Sequence, residues 1–193
     1  MSKIVIIEYG AGNLFSVRVA IERLGYEVVC SADPRVVREA DKVIFPGVGQ
    51  AAAAMRQLKE SGMDRVIPEL KVPVLGICLG MQLMCAYSEE GETEGLGIFP
   101  MRVEEFGRCG KVPHMEWNEI RGLKSGLFGV VEGEMVYFVH SYCVPVGEYT
   151  IATCDYQIAF SAAIRKGNFW GCQFHPEKSA GVGERIIENF LKM

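Results

Sequence analysis

Three short segments of the chain contain residue types that could act together in hydrolysis. Cys78 lies in the segment Gly76-Ile77-Cys78-Leu79-Gly80, and His175 and Glu177 are separated by one proline near the end of the sequence. On extended backbone, residues two apart project to the same side, so Glu177 can hold the His175 imidazole in one tautomer. A thiolate nucleophile needs a base of this kind. The two segments therefore predict a catalytic triad of Cys78, His175 and Glu177.

The surroundings of Cys78 favour a reactive thiol over an ordinary buried cysteine. The apolar, β-branched run 72–77 predicts a buried parallel strand, and residues 80–87 predict a helix. Cys78 would then lie at a tight turn between strand and helix, with glycines on both sides to let the turn close. The positive end of a helix dipole and its free N–H groups favour the thiolate, which is the reactive form. We expect most of the other cysteines to be small buried hydrophobic residues.

The third segment, Pro46-Gly47-Val48-Gly49, could supply hydrogen-bond donors to a transition state. It follows an apolar strand predicted at 42–45 and precedes an alanine-rich helix predicted from residue 50 to about 60. Its two glycines allow a backbone N–H to face a developing oxyanion, with the N–H of Leu79 as a second donor. Alone, the segment would be an ordinary turn. Beside a nucleophile and a base, it predicts an oxyanion loop of Gly47, Val48 and Gly49.

The other two histidines are weaker candidates for the base. His140 also ends an apolar, strand-like run, but no carboxylate is adjacent to it, so we expect a structural or substrate-loop role. His114 follows a proline, where we expect a solvated side chain. The chain has no C-x-x-C pair and no H-x-x-x-H spacing, so a zinc site is disfavoured and no metal is expected.

Length, composition and charge limit the class of protein. The 193 residues are 49% hydrophobic, which suits one compact domain over residues 1–193. The net charge of −4, with no basic run, argues against nucleic acid as a partner. No apolar stretch has bilayer length, and the opening residues 1–7 enter a strand without the regions of a signal peptide. Seven unevenly spaced cysteines suit a reducing compartment, so we expect a cytoplasmic protein without a membrane segment.

The order of predicted elements places the three segments at one edge of a sheet. Strands at 3–7, 28–30, 43–45 and 74–77 alternate with helices, the first of them at 13–24, which predicts an α/β fold with a mostly parallel central sheet flanked by helices. Beyond about residue 96, shorter strands predict a mixed or antiparallel extension, and a helix at 182–192 closes the chain. Active residues of such folds lie at the carboxyl ends of the strands. Residues 9–12, the oxyanion loop and Cys78 all fall there.

The motifs G-I-C-L-G-M-Q around Cys78 and F-H-P-E around His175 resemble those of the class I glutamine amidotransferases. The triad of that family hydrolyses the side-chain amide of glutamine to glutamate and ammonia, on a three-layer, flavodoxin-like fold. Finer features resemble the members that serve histidine biosynthesis, over essentially the whole chain. These are I-I-E-Y-G-A-G-N-L at 6–14, P-G-V-G at 46–49, P-H-M-E-W-N at 113–118, Y-F-V-H-S-Y at 137–142 and H-P-E-K-S at 175–179. Members serving other pathways usually carry another residue in place of Val48.

The resemblance implies a division of labour between two proteins. This chain would release ammonia without a cofactor, and a (β/α)8-barrel cyclase subunit would use it to make imidazole glycerol phosphate and an aminoimidazole carboxamide ribotide. The resemblance assigns the heterodimer interface and the ammonia passage to Asn13, Pro113, Met115 and Trp117, and it implies activity that is switched on by the partner and its ligand. Glu116 stands where the family usually has glycine.

The resemblance also implies the residues that hold the substrate glutamine: Gln82, Tyr137, His140, Ser141 and Tyr142. Two alternatives stay open from the sequence. The chain could serve another synthase of the same family, for anthranilate, GMP or pyridoxal phosphate, or it could be an inert regulatory subunit that retains the fold.

Overall fold

The structure is a computed structural model that describes residues 2–10, 13–107, 111–129 and 133–193. Strands and helices alternate along the first half of the chain. The strands are β1 Ile4–Ile7, β2 Val28–Ser31, β3 Lys42–Gly47, β4 Val74–Cys78, β5 Cys85–Ser88, β6 Thr93–Glu94, β7 Phe99–Glu105, β8 His114–Glu119, β9 Met135–His140, β10 Tyr142–Cys143, β11 Thr150–Tyr156, β12 Ile158–Lys166 and β13 Phe169–Cys172. The helices are α1 Leu14–Arg23, α2 Pro34–Arg38, α3 Ala51–Ser61, α4 Met63–Val66, α5 Leu79–Leu83 and α6 Ala180–Lys192, with 3-10 turns at Ile67–Glu69 and Pro176–Lys178.

Seven strands form the central sheet, in the order β11-β12-β13-β4-β3-β1-β2. The five strands from β13 to β2 run parallel, and β11 and β12 extend the sheet antiparallel. The predicted α/β fold with a mostly parallel sheet and an antiparallel extension is confirmed. The register matters for the site, because Gly47 at the end of β3 pairs with Cys78 at the end of β4.

Helices cover both faces of this sheet, which explains why its inner strands are apolar without interruption. Along β1, Ile4 and Ile6 pack with α1 and α6 on one face. Val5 and Ile7 pack with α3 and the residues that follow it on the other. Strands buried on both faces are expected to be continuous apolar runs, as the sequence indicated. The molecule therefore has three layers, and the site lies at the carboxyl edge of the middle layer.

The helix predicted at 80–87 is half wrong. α5 ends at Leu83, and the backbone then enters β5, which pairs parallel with β7 and antiparallel with β6. Periodicity alone favoured a longer helix, but pairing with the next two strands of the chain satisfies the same backbone groups, and this context overrides helix propensity. β5 belongs to a second sheet of order β10-β7-β5-β6, and β8 and β9 form a separate two-stranded ribbon.

The environment predicted for His114 is also wrong. The residue begins β8, pairs with His140 on β9, and is fully buried instead of solvated. Its ring stacks on Tyr156 and Phe138, so aromatic packing takes the place of water. Among the described residues, no helix is both long enough and apolar enough to cross a bilayer.

Candidate active site

Cys78 occupies a strained turn between β4 and α5. Its backbone has φ 52° and ψ −111°, a left-handed φ that a residue with a side chain adopts only when its surroundings enforce it. Two residues later, a Cβ on Gly80 would overlap the carbonyl oxygen of Phe45, so only glycine lets α5 pack this closely on β3. The turn presents the thiol at the end of the central strand.

His175 follows β13 and lies three residues beyond its end. β13 pairs with β4, the strand that ends at Cys78. Its Nδ1 is 2.8 Å from Oε1 of Glu177, and both side chains are almost completely buried. Within the described part of the chain, Nε2 of His175 has no hydrogen-bond partner. The carboxylate thus holds one ring nitrogen, and the other is available for proton transfer.

The electrostatics of His175 depend on its two neighbours. Burial alone would lower the pKa of the imidazole, but the Cys78 thiol and the Glu177 carboxylate interact with it and raise its pKa to about 10. Cys78 and His175 also line the same cavity. A thiol and an imidazole coupled in this way can exchange a proton, which is the requirement for a cysteine nucleophile.

The Cys78 sulfur has two further contacts that the sequence did not indicate. Nε2 of Gln173 lies 3.7 Å from Sγ, and the thiol is 3.8 Å from the carbonyl oxygen of Val139. Beneath the oxyanion loop, the hydroxyl of Tyr9 donates a 2.9 Å hydrogen bond to the carbonyl of Pro46. Burial and the nearby Cys78 raise the pKa of Tyr9, so its hydroxyl stays a donor.

A cavity of about 260 Å³ opens at the thiol, a size that suits a small substrate better than a drug-sized ligand. Most of the predicted oxyanion and substrate residues line it, together with one residue assigned to the interface. The lining residues are Val48, Gly49, Cys78, Leu79, Gln82, Glu90, Pro113, Val139, His140, Ser141, Tyr142 and His175. In the described ranges, no three His, Cys, Asp or Glu side chains are grouped so that they could hold a metal ion.

Several predicted site residues do not line the cavity. Gly47 contributes backbone at the end of β3, next to Cys78. The ring of Tyr137 meets Trp117 edge-on, with 6.0 Å between the centroids. Trp117 and Met115 are exposed on β8, and Oδ1 of Asn13 caps α1 by accepting from the Ser16 N–H. Ala11 and Gly12, part of the segment 9–12 expected near the site, lie outside the described residues.

Gln82 and Glu90 give the cavity its polar character. Gln82 Nε2 donates to the carbonyl oxygen of Tyr142 and to Oε1 of Gln173, both at 2.9 Å. Glu90 was missed from the sequence. It accepts a 2.8 Å hydrogen bond from the Ala51 N–H at the start of α3, and burial raises the pKa of its carboxyl although that bond opposes the rise. The acidic, glycine-containing run 88–95 has no motif that marks it as part of a site.

Comparison with known proteins agrees with this geometry. The family model described as glutamine amidotransferase class-I matches residues 5–193. The chain belongs to the class I glutamine amidotransferase family. Among curated relatives of this amidotransferase, an imidazole glycerol phosphate synthase subunit HisH from Bacteroides fragilis is 58% identical, over 99% of this chain and 100% of that protein. The subunit of the same name from Bacteroides thetaiotaomicron is 52% identical with the same coverage.

Solved structures support the fold independently. A crystal structure described as a glutamine amidotransferase superposes with a TM-score of 0.77, covering 97% of both chains at 18% sequence identity. That likeness concerns the fold alone. The curated relatives that match over the full length are HisH subunits. Within the class I family, this amidotransferase is therefore grouped with the HisH subunits.

Proposed function

We propose that this amidotransferase is the glutaminase subunit of an imidazole glycerol phosphate synthase, acting in histidine biosynthesis as one catalytic domain. It hydrolyses the side-chain amide of glutamine, and a cyclase subunit uses the ammonia. The proposed chemistry rests on one observation. Nδ1 of His175 is hydrogen-bonded to Oε1 of Glu177 at 2.8 Å, and His175 lines the same cavity as Cys78. The name of the 58% identical relative supports the pathway and the partner.

The first half of the reaction forms a thioester. His175 takes the thiol proton of Cys78, and the thiolate attacks the carboxamide carbon of glutamine, so that a C–S bond forms and the carbonyl electrons move to oxygen. Backbone N–H groups of the Val48–Gly49 loop and of Leu79, in the first turn of α5, stabilise this oxyanion. The C–N bond then breaks as His175 protonates the nitrogen, which leaves as ammonia.

The second half regenerates the enzyme. His175 takes a proton from a water molecule, whose oxygen attacks the thioester carbon. The C–S bond breaks, glutamate leaves, and Cys78 regains a proton from the imidazolium. Glu177 holds the ring in one tautomer and stabilises the imidazolium that forms twice in each cycle. This amide hydrolysis uses only water and these side chains, and no cofactor is needed.

The polar residues of the cavity suit the amino-acid end of glutamine. The partly buried Glu90 carboxylate can accept from the α-ammonium group, and the Gln82 side-chain oxygen is available because its nitrogen is already engaged. His140, Ser141 and Tyr142 line the cavity, whereas Tyr137 acts through its backbone, which holds His175.

The surface beside the cavity suits a partner that receives ammonia. Met115 and Trp117 on β8 are 55% and 45% exposed, and Pro113 at the start of the ribbon also lines the cavity. Methionine and tryptophan are common anchors of protein interfaces. We propose that a (β/α)8-barrel cyclase docks here in the cytoplasm, with Asn13 at the rim of the ammonia passage.

The test combines the chain with a cyclase subunit from a histidine pathway, glutamine and the ribotide substrate. We expect glutamine-dependent product from the wild type, none from Cys78→Ala, and full product from Cys78→Ala when an ammonium salt replaces glutamine. The matched control is Cys30→Ala, which removes a thiol from the edge strand β2 and should retain activity. Glutamine-dependent turnover by Cys78→Ala would contradict the proposal, and equal glutaminase activity with and without the cyclase would contradict activation by the partner.

A further inference from the structure

A single backbone carbonyl determines how two buried amides are oriented. The carbonyl oxygen of Tyr142 lies 2.9 Å from the Gln82 side-chain amide and 2.7 Å from Nδ1 of His140. A carbonyl oxygen can only accept hydrogen bonds. The Gln82 group that faces it must therefore be the NH2, and Nδ1 of His140 must carry the proton.

The same argument extends one residue further. The second N–H of Gln82 points to the Gln173 amide at 2.9 Å, so the Gln173 atom that receives it must be the oxygen. The NH2 group of Gln173 then faces Sγ of Cys78 at 3.7 Å. Gln173 is fully buried and is absent from the described lining of the cavity, so it faces the sulfur from the protein side.

The sulfur needs such a donor once it loses its proton. As a thiol, Cys78 can donate to the carbonyl oxygen of Val139, 3.8 Å away. As a thiolate, it would face the negative end of that carbonyl, which repels it. An N–H of Gln173 offsets this repulsion, and hydrogen bonds to charged acceptors contribute more than those between neutral groups.

We propose that Gln173 is a further catalytic residue, whose amide N–H stabilises the Cys78 thiolate before attack and again when the thioester C–S bond breaks. Gln82 and the Tyr142 carbonyl position this donor by fixing the orientation of its amide. The inference rests on the proposed role of Cys78 as the nucleophile.

The test measures how fast iodoacetamide alkylates Cys78 between pH 6 and 9, by mass spectrometry of the peptide that contains it. Gln173→Met removes the donor and nearly preserves the side-chain length. We expect alkylation at pH 7 to slow at least tenfold, with the difference shrinking as the pH rises and the thiolate forms in both proteins. Gln157→Met, the same change at the exposed turn between β11 and β12, should alkylate at the wild-type rate.

Structural damage predicts the opposite result. Cys78 is only 7% exposed, so a loosened site would admit the reagent and speed alkylation. Gln82→Met, which leaves Gln173 in place but frees its amide to rotate, should give an intermediate rate. Alkylation of Gln173→Met at or above the wild-type rate at pH 7 would overturn the proposal.

Glutamine hydrolysis in the assembled synthase gives a second readout. Because Gln173 contacts the sulfur and does not line the cavity, Gln173→Met should lower kcat at least tenfold with an unchanged KM. Activity that persists in Cys78→Ala would reject the proposed function itself. An inactive Cys78→Ala together with wild-type alkylation in Gln173→Met would reject only the role of Gln173.

Discussion

The backbone N–H of His175 donates a 2.9 Å hydrogen bond to the carbonyl oxygen of Tyr137. The hydroxyl of Ser179 completes the connection, since it accepts from the Tyr137 N–H at 3.0 Å and donates to the His175 carbonyl at 2.6 Å. The backbone N–H and C=O of Tyr137 are thus both hydrogen-bonded to the segment 175–179, which contains the proposed base His175. The Tyr137 ring contacts Trp117 on the exposed ribbon, so the proposed docking surface and the base share one strand.

Ser179→Ala should loosen the base. The change removes both hydroxyl bonds and leaves the partly buried Tyr137 N–H without its acceptor, which costs about 2 kcal/mol in the free energy of unfolding. We expect kcat for glutamine in the assembled synthase to fall about tenfold with little change in KM, because a misplaced base affects the chemical step. Ser61→Ala, whose hydroxyl only donates to carbonyls of α3, is the control. A destabilised Ser179→Ala with wild-type kcat would show that Ser179 does not position His175.

Glu90→Gln should weaken glutamine binding. The substituted amide oxygen can still accept from the Ala51 N–H and hold the start of α3, but the negative charge is lost. If the carboxylate binds the α-ammonium group, steady-state kinetics should show KM for glutamine raised about tenfold and kcat within twofold of wild type. Glu184→Gln on α6 should leave both parameters unchanged. An unaltered KM in Glu90→Gln would mean that this carboxylate only holds the start of α3 and does not bind glutamine.

Gly80→Ala should damage the fold at the turn after Cys78. The added methyl group would overlap the Phe45 carbonyl oxygen, and neither backbone segment can move without disturbing the pairing of β3 with β4. We expect the free energy of unfolding, measured in urea, to fall by about 3 kcal/mol. Gly181→Ala on α6, where a Cβ meets nothing within 4 Å, should be nearly neutral. Equal stability of the two variants would contradict this close approach.

Two buried histidines should make the protein sensitive to mild acid. Burial lowers the pKa of His114 to about 4 and that of His140 to about 3. Below pH 6.5 the unfolded chain gains protons that the folded protein excludes. The free energy of unfolding should therefore decrease as the pH is lowered, by up to about 1.4 kcal/mol per pH unit for each histidine. His175 has a raised pKa and acts with the opposite sign, since its stabilisation is full below pH 6.5 and is lost as pH rises to about 10.

Urea unfolding at several values between pH 7.5 and 4.5 measures this dependence. His114→Phe preserves an aromatic ring between Tyr156 and Phe138 and removes one titrating group. As the pH is lowered, its free energy of unfolding should decrease less steeply than that of the wild type. The two slopes should differ by up to about 1.4 kcal/mol per pH unit. Parallel profiles for the two proteins would contradict the assignment.

The sequence indicated the fold because its signals were local. Apolar runs such as 42–45 and 74–77, each followed by glycines, mark buried parallel strands and the turns at their carboxyl ends. Parallel strands place those ends at one edge, so Cys78 and the Val48–Gly49 loop could be assigned to one site without coordinates. The chemical roles of the triad remain predictions that substitution must test.

What the sequence could not indicate depends on contacts between distant residues. Gln173 lies in an otherwise apolar strand-like run, and its neighbours Cys78 and Gln82 are more than 90 residues away. Glu90 looks like any acidic residue of a turn until β5 and β6 fold against α3. The end of α5 and the burial of His114 were likewise decided by strand pairing, which local periodicity does not encode.

The proposed nucleophile, oxyanion loop and base follow β4, β3 and β13, three adjacent strands of one sheet. The spacing of the three strands that carry them is therefore the distance between hydrogen-bonded strands, about 4.8 Å. The outermost strands β2 and β11 lie at the two edges of the sheet, where substitutions disturb that spacing least. A designer could thus change the exposed side chains of β8, such as Met115 and Trp117, to recruit a different ammonia consumer, while keeping β9, whose Tyr137 backbone holds His175.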